Sequence, residues 1–453
     1  LSIDDLRAAL RGRVIVPGEP GYDKARTTFY GGIDRHPAVI VKVADPQDVS
    51  KVVSLAREDG IELAVRGGGH SIAGHCVSEG GIVIDFSERR SLRIDPVDRT
   101  AWAETGVTAG EYTTAAARHG LATGFGDAGS VGIGGITLSG GIGFLVRKHG
   151  LTIDSLLAAE IVTADGRILQ VDESHHPDLF WAIRGGGGNF GVVTRLKLRL
   201  HDLKRVIGGM LILPATLEVI TGFMEIAHAA PEELSTIANV MVAPPMPFFP
   251  AEIHGKLVVM AQLVYAGDGD AGERVVADFR KLAPPLVDMV KSMPYPEIYP
   301  PEDPDYHPLA VGRTMFMDSF TSRKAETILS FLNSSTALMR VAQLRVLGGA
   351  MARVREDVTA FAHRSRAILA NVAALYQSPD ELNRHLGWVE QFATSLRDGE
   401  GAYVGFLGDE GEDRVREAYP GKTWDRLSAV KHTYDPTNLF RLNQNIPPSA
   451  KRG

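Results

Sequence analysis

Along residues 37–66 the spacing of apolar positions changes twice. "AVIVKV" is a short apolar run. Val49, Val52, Val53 and Ala56 then recur every three or four residues, and "ELAVR" returns to short spacing. This pattern predicts strand, helix, strand. Asp45 suits the N-cap, Pro46 the first helical position and Gly60 the stop. Further along, "GIVIDFS", "SLRIDP" and "TAWAETG" read as short strands, and "TAGEYTTAAARHG" as a helix closed by Gly120. "LAAEIVTADGRILQV" predicts a hairpin turning at Asp165 and Gly166. In "VVTRLKLRL" the residues Leu196, Leu198 and Leu200 alternate with Arg195, Lys197 and Arg199, which is a strand with one wet face.

Beyond residue 203 the pattern shifts to strands such as "VIGGMLIL", "KLVVMAQLVYA" and "AQLRVLGG", alternating with helices such as "AGERVVADFRKLA". An α+β unit with a mainly antiparallel sheet is expected there. "PYPEIYPPEDPDYHP" reads as a stiff proline-rich connector. Residues 124–143, "GFGDAGSVGIGGITLSGGIG", carry too much glycine for a stable helix or regular strand, so a loop with tight backbone contacts is expected.

Composition narrows the class. A chain of 453 residues suggests two large domains, and 44% hydrophobic with 23% charged residues is ordinary for a globular protein. The net charge of -7, with lysines and arginines scattered, argues against nucleic acid or an anionic membrane surface as a partner. One cysteine cannot form an internal disulfide, and no apolar run approaches the roughly 20 residues of a membrane span. With acids at Asp4 and Asp5 where a secretory signal would be basic, the expectation is a cytoplasmic protein that handles small molecules.

Three glycine clusters carry the candidate chemistry. "RGGGHSIAGHC", residues 66–76, attaches His70 to the first; the second is residues 124–143; the third is "RGGGGNFG". Gly186, Gly188 and Gly191 satisfy G-x-G-x-x-G, yet that motif binds dinucleotides only when it opens a helix, and here it opens a strand. No cluster continues into the Lys-Ser or Lys-Thr of a P-loop. Glycines admit backbone N–H groups to phosphate oxygens, so the three clusters together point to one large anionic ligand touched along its length. His70, His75 and Cys76 fall short of the four ligands of a structural zinc site, and no metal is expected.

The order of four segments resembles the berberine bridge enzyme-like branch of the vanillyl-alcohol oxidase family: "RGGGHSIAGH", "SVGIGGITLSGGIGFLVRKHGLTID", "DLFWAIRGGGGNFGVVT" and "YDPTNLFRLNQNIPP". The resemblance implies an α+β fold: a two-part PCMH-type FAD-binding domain in residues 1–203 and 405–453, and a substrate domain in 204–404 with an antiparallel sheet backed by helices. It implies FAD bonded through His70 to the 8α-methyl of the isoalloxazine ring, a bond for which neutral imidazole is a competent nucleophile. Cofactor contacts carried over are Arg66, Gly67, Gly68, Gly69, Ser71, Gly74 and His75 in the first cluster. The second supplies Ala128, Gly129, Ser130, Gly132, Gly134, Gly135, Ser139, Gly140, Gly141 and Gly143. Ile161, Val193, Asn443 and Asn445 complete the set. Some members carry a second bond from a cysteine at the position of Ala128, so a single link is expected here.

Substrate in such a fold lies between the flavin and the second domain's sheet. In "AQLRVLGG" the period of two puts Gln343, Arg345 and Leu347 on one face, where Arg345 either binds substrate, stabilises reduced flavin or is an exposed strand arginine. Tyr403 is a candidate base or orienting hydroxyl. Tyr306, His363, Tyr376 and Trp388 are weaker candidates. Close relatives carry Asn where this chain has Gly405. The expected activity is an FAD-dependent oxidase that removes a hydride from an alcohol, sugar, amine or secondary metabolite and reduces oxygen to hydrogen peroxide. A dehydrogenase with another acceptor, or a flavin protein that binds ligand without turnover, stays open.

Overall fold

The computed structural model describes residues 2–245 and 249–450. Strands Arg13–Ile15, Val39–Lys42, Ile82–Asp85 and Leu63–Arg66 lie side by side in that order. Ile82–Asp85 runs parallel to both neighbours, so Val39–Lys42 and Leu63–Arg66 need a crossover, which helix Pro46–Asp59 provides. Asp45 caps that helix by accepting from the Asp48 N–H, Gly60 ends it in the left-handed region at φ 66°, and Val49, Val52, Val53 and Ala56 are fully buried. The crossover thereby delivers the chain from Arg66 straight into the first glycine cluster.

A second sheet, antiparallel throughout, takes Leu92–Asp95, Thr100–Glu104, Val192–Arg199, Leu156–Val162 and Ile168–Val171 in that order. Leu196, Leu198 and Leu200 are buried while Arg195 and Arg199 face solvent, as the alternation requires. Helices Pro177–Ile183 and Lys422–Tyr434 share its core, so the C-terminal segment returns to the first half of the chain.

The third sheet has eight antiparallel strands. Its path is Val287–Asp288, Val206–Pro214, Leu257–Tyr265, Leu234–Val242, Met339–Val346, Ile368–Tyr376 and Leu309–Met317, with Lys291–Met293 also paired to Val206–Pro214. Ala342, Leu344 and Val346 join a core with helices Leu217–Ala229, Ser322–Ser334 and Leu382–Leu396. The alternate residues of the same strand face the glycine-rich half: Leu347 packs with Ile142, Phe361 and Tyr403.

One local expectation is overturned. Residues 124–143 are not all loop, because Ile133–Leu138 forms a helix. Ile133 and Thr137 are fully buried, and a Cβ on Gly134 would stand 2.8 Å from the Thr105 Cβ. Glycine costs a helix about 1 kcal/mol per residue, and here close helix-to-strand packing offsets it. The glycines serve contact as much as turning.

Among the described residues, no helix is long and apolar enough to cross a membrane.

Candidate active site

The first and second glycine clusters meet backbone to backbone. A Cβ on Gly68 would lie 2.3 Å from the Gly132 nitrogen, and one on Gly132 would lie 2.4 Å from the Gly68 nitrogen. Only glycine permits that approach, and it holds His70 beside Ser130: the two side chains meet at 2.8 Å, His70 Nε2 to Ser130 Oγ. The His70 ring stacks on Phe29, with centroids 4.3 Å apart and planes inclined by 18°. Burial pulls the His70 pKa down to about 4; Glu302 and Asp127 pull it up, and Arg66 pushes it down. The ring is therefore neutral at physiological pH.

His75 is likewise held down to about 4 by burial. Ser71 and Gly74 shape its turn: Ser71 Oγ accepts from the His75 N–H, and Gly74 has φ 71°. Cys76 is buried, and its thiol is pushed up by that burial.

Whether this cradle suits FAD is tested by its loose ends. Among the described residues, Arg66 Nη1, Asn443 Oδ1 and Asn445 Oδ1 are buried polar atoms without a hydrogen-bond partner. Buried groups of that kind cost free energy unless something else satisfies them. A Cβ on Gly135 would meet nothing within 4 Å, so this position borders open space. A guanidinium nitrogen left free where its strand enters the first glycine cluster, beside backbone stripped of side chains, suits a ligand with phosphates, and FAD fits.

The C-terminal asparagines are placed by a buried latch. Lys431 Nζ donates to Asp435 Oδ2 at 2.7 Å, to the Asn189 carbonyl at 2.7 Å and to the Phe440 carbonyl at 2.9 Å, and Lys431 and Asp435 are both fully buried. Asn189 Oδ1 in turn accepts from the Ile446 N–H.

The third glycine cluster does something else. Gly185 and Gly187 donate their N–H groups to the Leu138 carbonyl, and Gly186 donates to Ala182. Those three amides are committed, so this end of the third cluster supports the helix Ile133–Leu138 and the C-terminal latch, while Gly188 borders open space. Ile161 and Val193 pair with each other inside the five-stranded sheet, and the Val193 carbonyl accepts from Thr105 Oγ1 at 3.0 Å. No contact among the described residues brings either of them to His70.

Facing the cradle, the eight-stranded sheet presents side chains. Asn239, Gln343 and Asn371 are direct cross-strand partners on three adjacent strands and form a row of amides. Gln343 Nε2 donates to Asn239 Oδ1 at 3.0 Å. Arg345 is not an exposed strand arginine: it is 4% exposed and spans the seam. It donates to Gln343 Oε1, to the Ile142 carbonyl and, at 2.6 Å, to Asp127 Oδ2, while its guanidinium lies 4.9 Å from the Phe406 ring centroid.

Tyr403 Oη accepts from the Gly141 N–H at 3.2 Å, and its pKa is raised by burial. This geometry suits a hydroxyl that holds the turn at Gly140 and Gly141, whose φ angles are 119° and 81°. Ser139 Oγ donates to the Gly135 carbonyl, and Gly143 lies against Phe125, with no room for a Cβ. A Cβ on Gly405 would meet the Tyr403 ring at 2.8 Å, so a side chain there would displace the tyrosine. His363 Nε2 donates to the Glu417 carbonyl at 2.9 Å, away from the row, Tyr376 and Trp388 pack on the helical side of the sheet, and Tyr306 is exposed.

Sequence reasoning missed Asp127, Asn239, Asn371 and Glu302. Asp127 carried a signal, being the single charged residue within 124–143. Glu302 comes from the proline-rich connector, which turns back over the cradle: its carboxylate accepts from the Ser130 N–H at 3.1 Å and from the Ser130 hydroxyl.

Comparison with known proteins agrees with this geometry. Residues 37–172 match a family model described as an FAD binding domain, and residues 402–447 match one described as berberine and berberine like. An FAD-linked oxidoreductase of Bacillus subtilis (strain 168), YvdP, is 32% identical over 97% of this chain and 99% of its own length. (R)-6-hydroxynicotine oxidase of Paenarthrobacter nicotinovorans is 30% identical over 98% of both. The crystal structure of a 6-hydroxy-D-nicotine oxidase from Arthrobacter nicotinovorans superposes with a TM-score of 0.85 at 26% identity, over 97% of this chain and 98% of that one.

Proposed function

Because the chain belongs to the berberine-like FAD-linked oxidoreductases and is an FAD-dependent enzyme, we propose that it is an oxidase whose FAD is bonded through His70 and whose substrate is a neutral, polar small molecule. Such a substrate loses a hydride from a carbon bearing a hydroxyl or amine, and dioxygen takes the electrons as hydrogen peroxide. Residues 1–203 and 405–453 form the FAD-binding part in this reading, and 204–404 the substrate part. The observation that carries it is the wall opposite His70: an amide row beside an arginine whose charge Asp127 already balances.

FAD, when bound, supplies the hydride acceptor; the chain supplies placement. The amides of Asn239, Gln343 and Asn371 give and accept hydrogen bonds without net charge, which selects hydroxyls, carbonyls and amines over carboxylates. Arg345 is spent on Asp127, Gln343 and Ile142, so it orients Asp127 instead of capturing an anion. Asp127 Oδ1 accepts no hydrogen bond among the described residues, and its side chain is 29% exposed. It is placed to take the proton from the substrate O–H or N–H as the hydride leaves.

Acid precipitation of the purified protein tests the attachment: a yellow pellet is expected, and a colourless pellet under a yellow supernatant would remove the His70 bond. Neutral polyols, alcohols and amines should bleach the flavin anaerobically and release peroxide in air, with carboxylates inert. Bleaching without peroxide would make the enzyme a dehydrogenase, and no bleaching by any of the panel would leave a flavin protein without turnover on these substrate classes.

A further inference from the structure

The connector carboxylate at the cradle has no role in holding substrate, and its placement asks for one. Glu302 is exposed, lies 172 residues from Ser130 in sequence, and binds that serine through both its N–H and its hydroxyl. Ser130 Oγ is at the same time 2.8 Å from His70 Nε2. Three side chains thus form a line from a part-buried imidazole to water. Among the described residues, Nδ1 of His70 has no hydrogen-bond partner, so the nitrogen free to react is the one away from the serine.

We infer that Glu302 and Ser130 form a proton relay that activates His70 for its own attachment to the flavin, with the bond formed at Nδ1 and the proton leaving from Nε2. This inference rests on the covalent reading proposed above. Nδ1 forms a bond to the 8α carbon, which gives up one hydrogen as a proton. The second proton leaves Nε2 for Ser130 Oγ while the serine's own proton passes to the Glu302 carboxylate, which is open to solvent. The two electrons left on the ring are removed by dioxygen, and with the two protons they complete hydrogen peroxide.

Each part of the geometry has a use in this step. A neutral imidazole donating from Nε2 presents its lone pair at Nδ1. Stacking on Phe29 fixes the ring plane. As the bond forms, positive charge grows on a part-buried ring, and the Glu302 carboxylate, two hydrogen bonds away through Ser130, offsets it. The charged groups facing His70 are Glu302, Asp127 and Arg66; Asp127 is held by Arg345, and Glu302 alone is joined to the ring by hydrogen bonds. Ser130 and Glu302 are therefore positioning residues for attachment, acting through His70.

Apoprotein produced without flavin and mixed with FAD in air provides the test. Attachment is followed as flavin that precipitates with the chain in acid, over pH 5 to 9, and total bound flavin is measured in parallel. Ser130→Ala and Glu302→Gln are expected to bind FAD and to attach it at least tenfold more slowly, on the scale of general acid–base catalysis of about 10²–10⁴. Ser130→Thr, which keeps the hydroxyl, should restore most of the rate, which a merely structural role for Ser130 would not explain. The histidyl-flavin peptide released by proteolysis, read by NMR, should carry the flavin on Nδ1.

Attachment at the wild-type rate in both variants, or a peptide substituted on Nε2, would overturn the relay while leaving the covalent reading intact. A wild-type protein that never retains flavin in acid would overturn the covalent reading and the relay with it. If Ser130→Ala fails to bind FAD, the exposed Glu302→Gln decides alone, and a wild-type rate of attachment there refutes the relay.

Discussion

On one wall of the site, Gly68 and Gly132 approach so closely that a methyl group on either would strike the other's backbone. On the opposite wall, Asn239, Gln343, Asn371 and Arg345 project from strands whose backbones are fully occupied with one another. The first wall is made of main chain and fails when a side chain is added. The second is made of side chains and fails when one is removed. The two walls should therefore respond to mutation in opposite ways, and the seam between them, Arg345 with Asp127, should be the most sensitive point because it belongs to both.

The largest effect is expected at that seam. Asp127→Asn leaves the Arg345 guanidinium, 4% exposed, without its counter-charge. Breaking a fully buried pair costs about 3–5 kcal/mol, and because Asp127 is part exposed and Arg345 keeps its bonds to Gln343 and Ile142, about 3 kcal/mol is expected here. Arg345→Met should cost less, because the Asp127 side chain is 29% exposed and can be hydrated. Urea denaturation of both variants measures the asymmetry. Equal losses would mean that Arg345 gains little from Asp127, and the seam would then belong to the sheet wall alone.

Gly68→Ala comes next, as the probe of the main-chain wall. Its Cβ would sit 2.3 Å from the Gly132 nitrogen, a backbone atom that cannot turn aside. Overpacking of this kind costs about 1–3 kcal/mol. Because the strain falls between the two glycine clusters, flavin content should drop more than stability does. The flavin-to-protein absorbance ratio and a melting curve on the same sample separate the two; a full complement of flavin would contradict the close approach.

The same contrast explains what could be read from the chain. Main-chain features write themselves locally: the capped helix Pro46–Asp59, the wet-faced strand Val192–Arg199 and the triple glycine before His70 each follow from neighbours in sequence. The sheet wall does not. Its amide row exists only once three strands are in register, and Asp127 meets Arg345 across 218 positions. Gln343 and Arg345 were legible through the period of two, yet their partners were not. Ile133–Leu138 was hidden for a different reason: glycine reads as a loop signal, and the buried contacts that hold this helix lie on other segments. Glu302 was masked by the prolines around it.

Acid should separate the halves again. Burial holds His75 and His201 down to about 4 and His149 down to about 3, all within residues 1–203, and His149 stacks on His201 at 4.0 Å. In the remainder, His363 is held to about 4 and His385 is lowered, again by burial first. A folded-state pKa below the unfolded value of about 6.5 means that the unfolded chain binds more protons on acidification. Stability is therefore constant well above pH 6.5, falls as pH drops through the window from about 6.5 to about 4, and falls first in the glycine-rich half. After discounting for solvent screening, about 1–2 kcal/mol between pH 7 and pH 5 is a reasonable scale. Hydrogen exchange corrected for intrinsic rates should show protection lost around Val146–His149 before the eight-stranded sheet. The reverse order would mean that histidine burial does not distinguish the walls.

The smallest effect, and the sharpest for function, is expected from Asn239→Ala. Its amide oxygen accepts from Gln343 Nε2, and Gln343 Oε1 accepts from Arg345, so the row and the seam are mechanically joined. The variant loses the bond from Gln343 and a long one from Asn239 Nδ2 to the Met260 carbonyl at 3.4 Å; both are neutral and lie at a half-buried position where water can take the vacant places, so the cost is about 1 kcal/mol. If the row binds substrate equally in ground and transition states, KM should rise several-fold with kcat unchanged. If Asn239 instead matters only by steadying Gln343 and through it Arg345 and Asp127, kcat should fall and KM hold, because the proton acceptor rather than the binding surface has been disturbed. A variant with neither change would show that substrate touches the sheet elsewhere, and the amide row would then be a scaffold for Arg345 and no more.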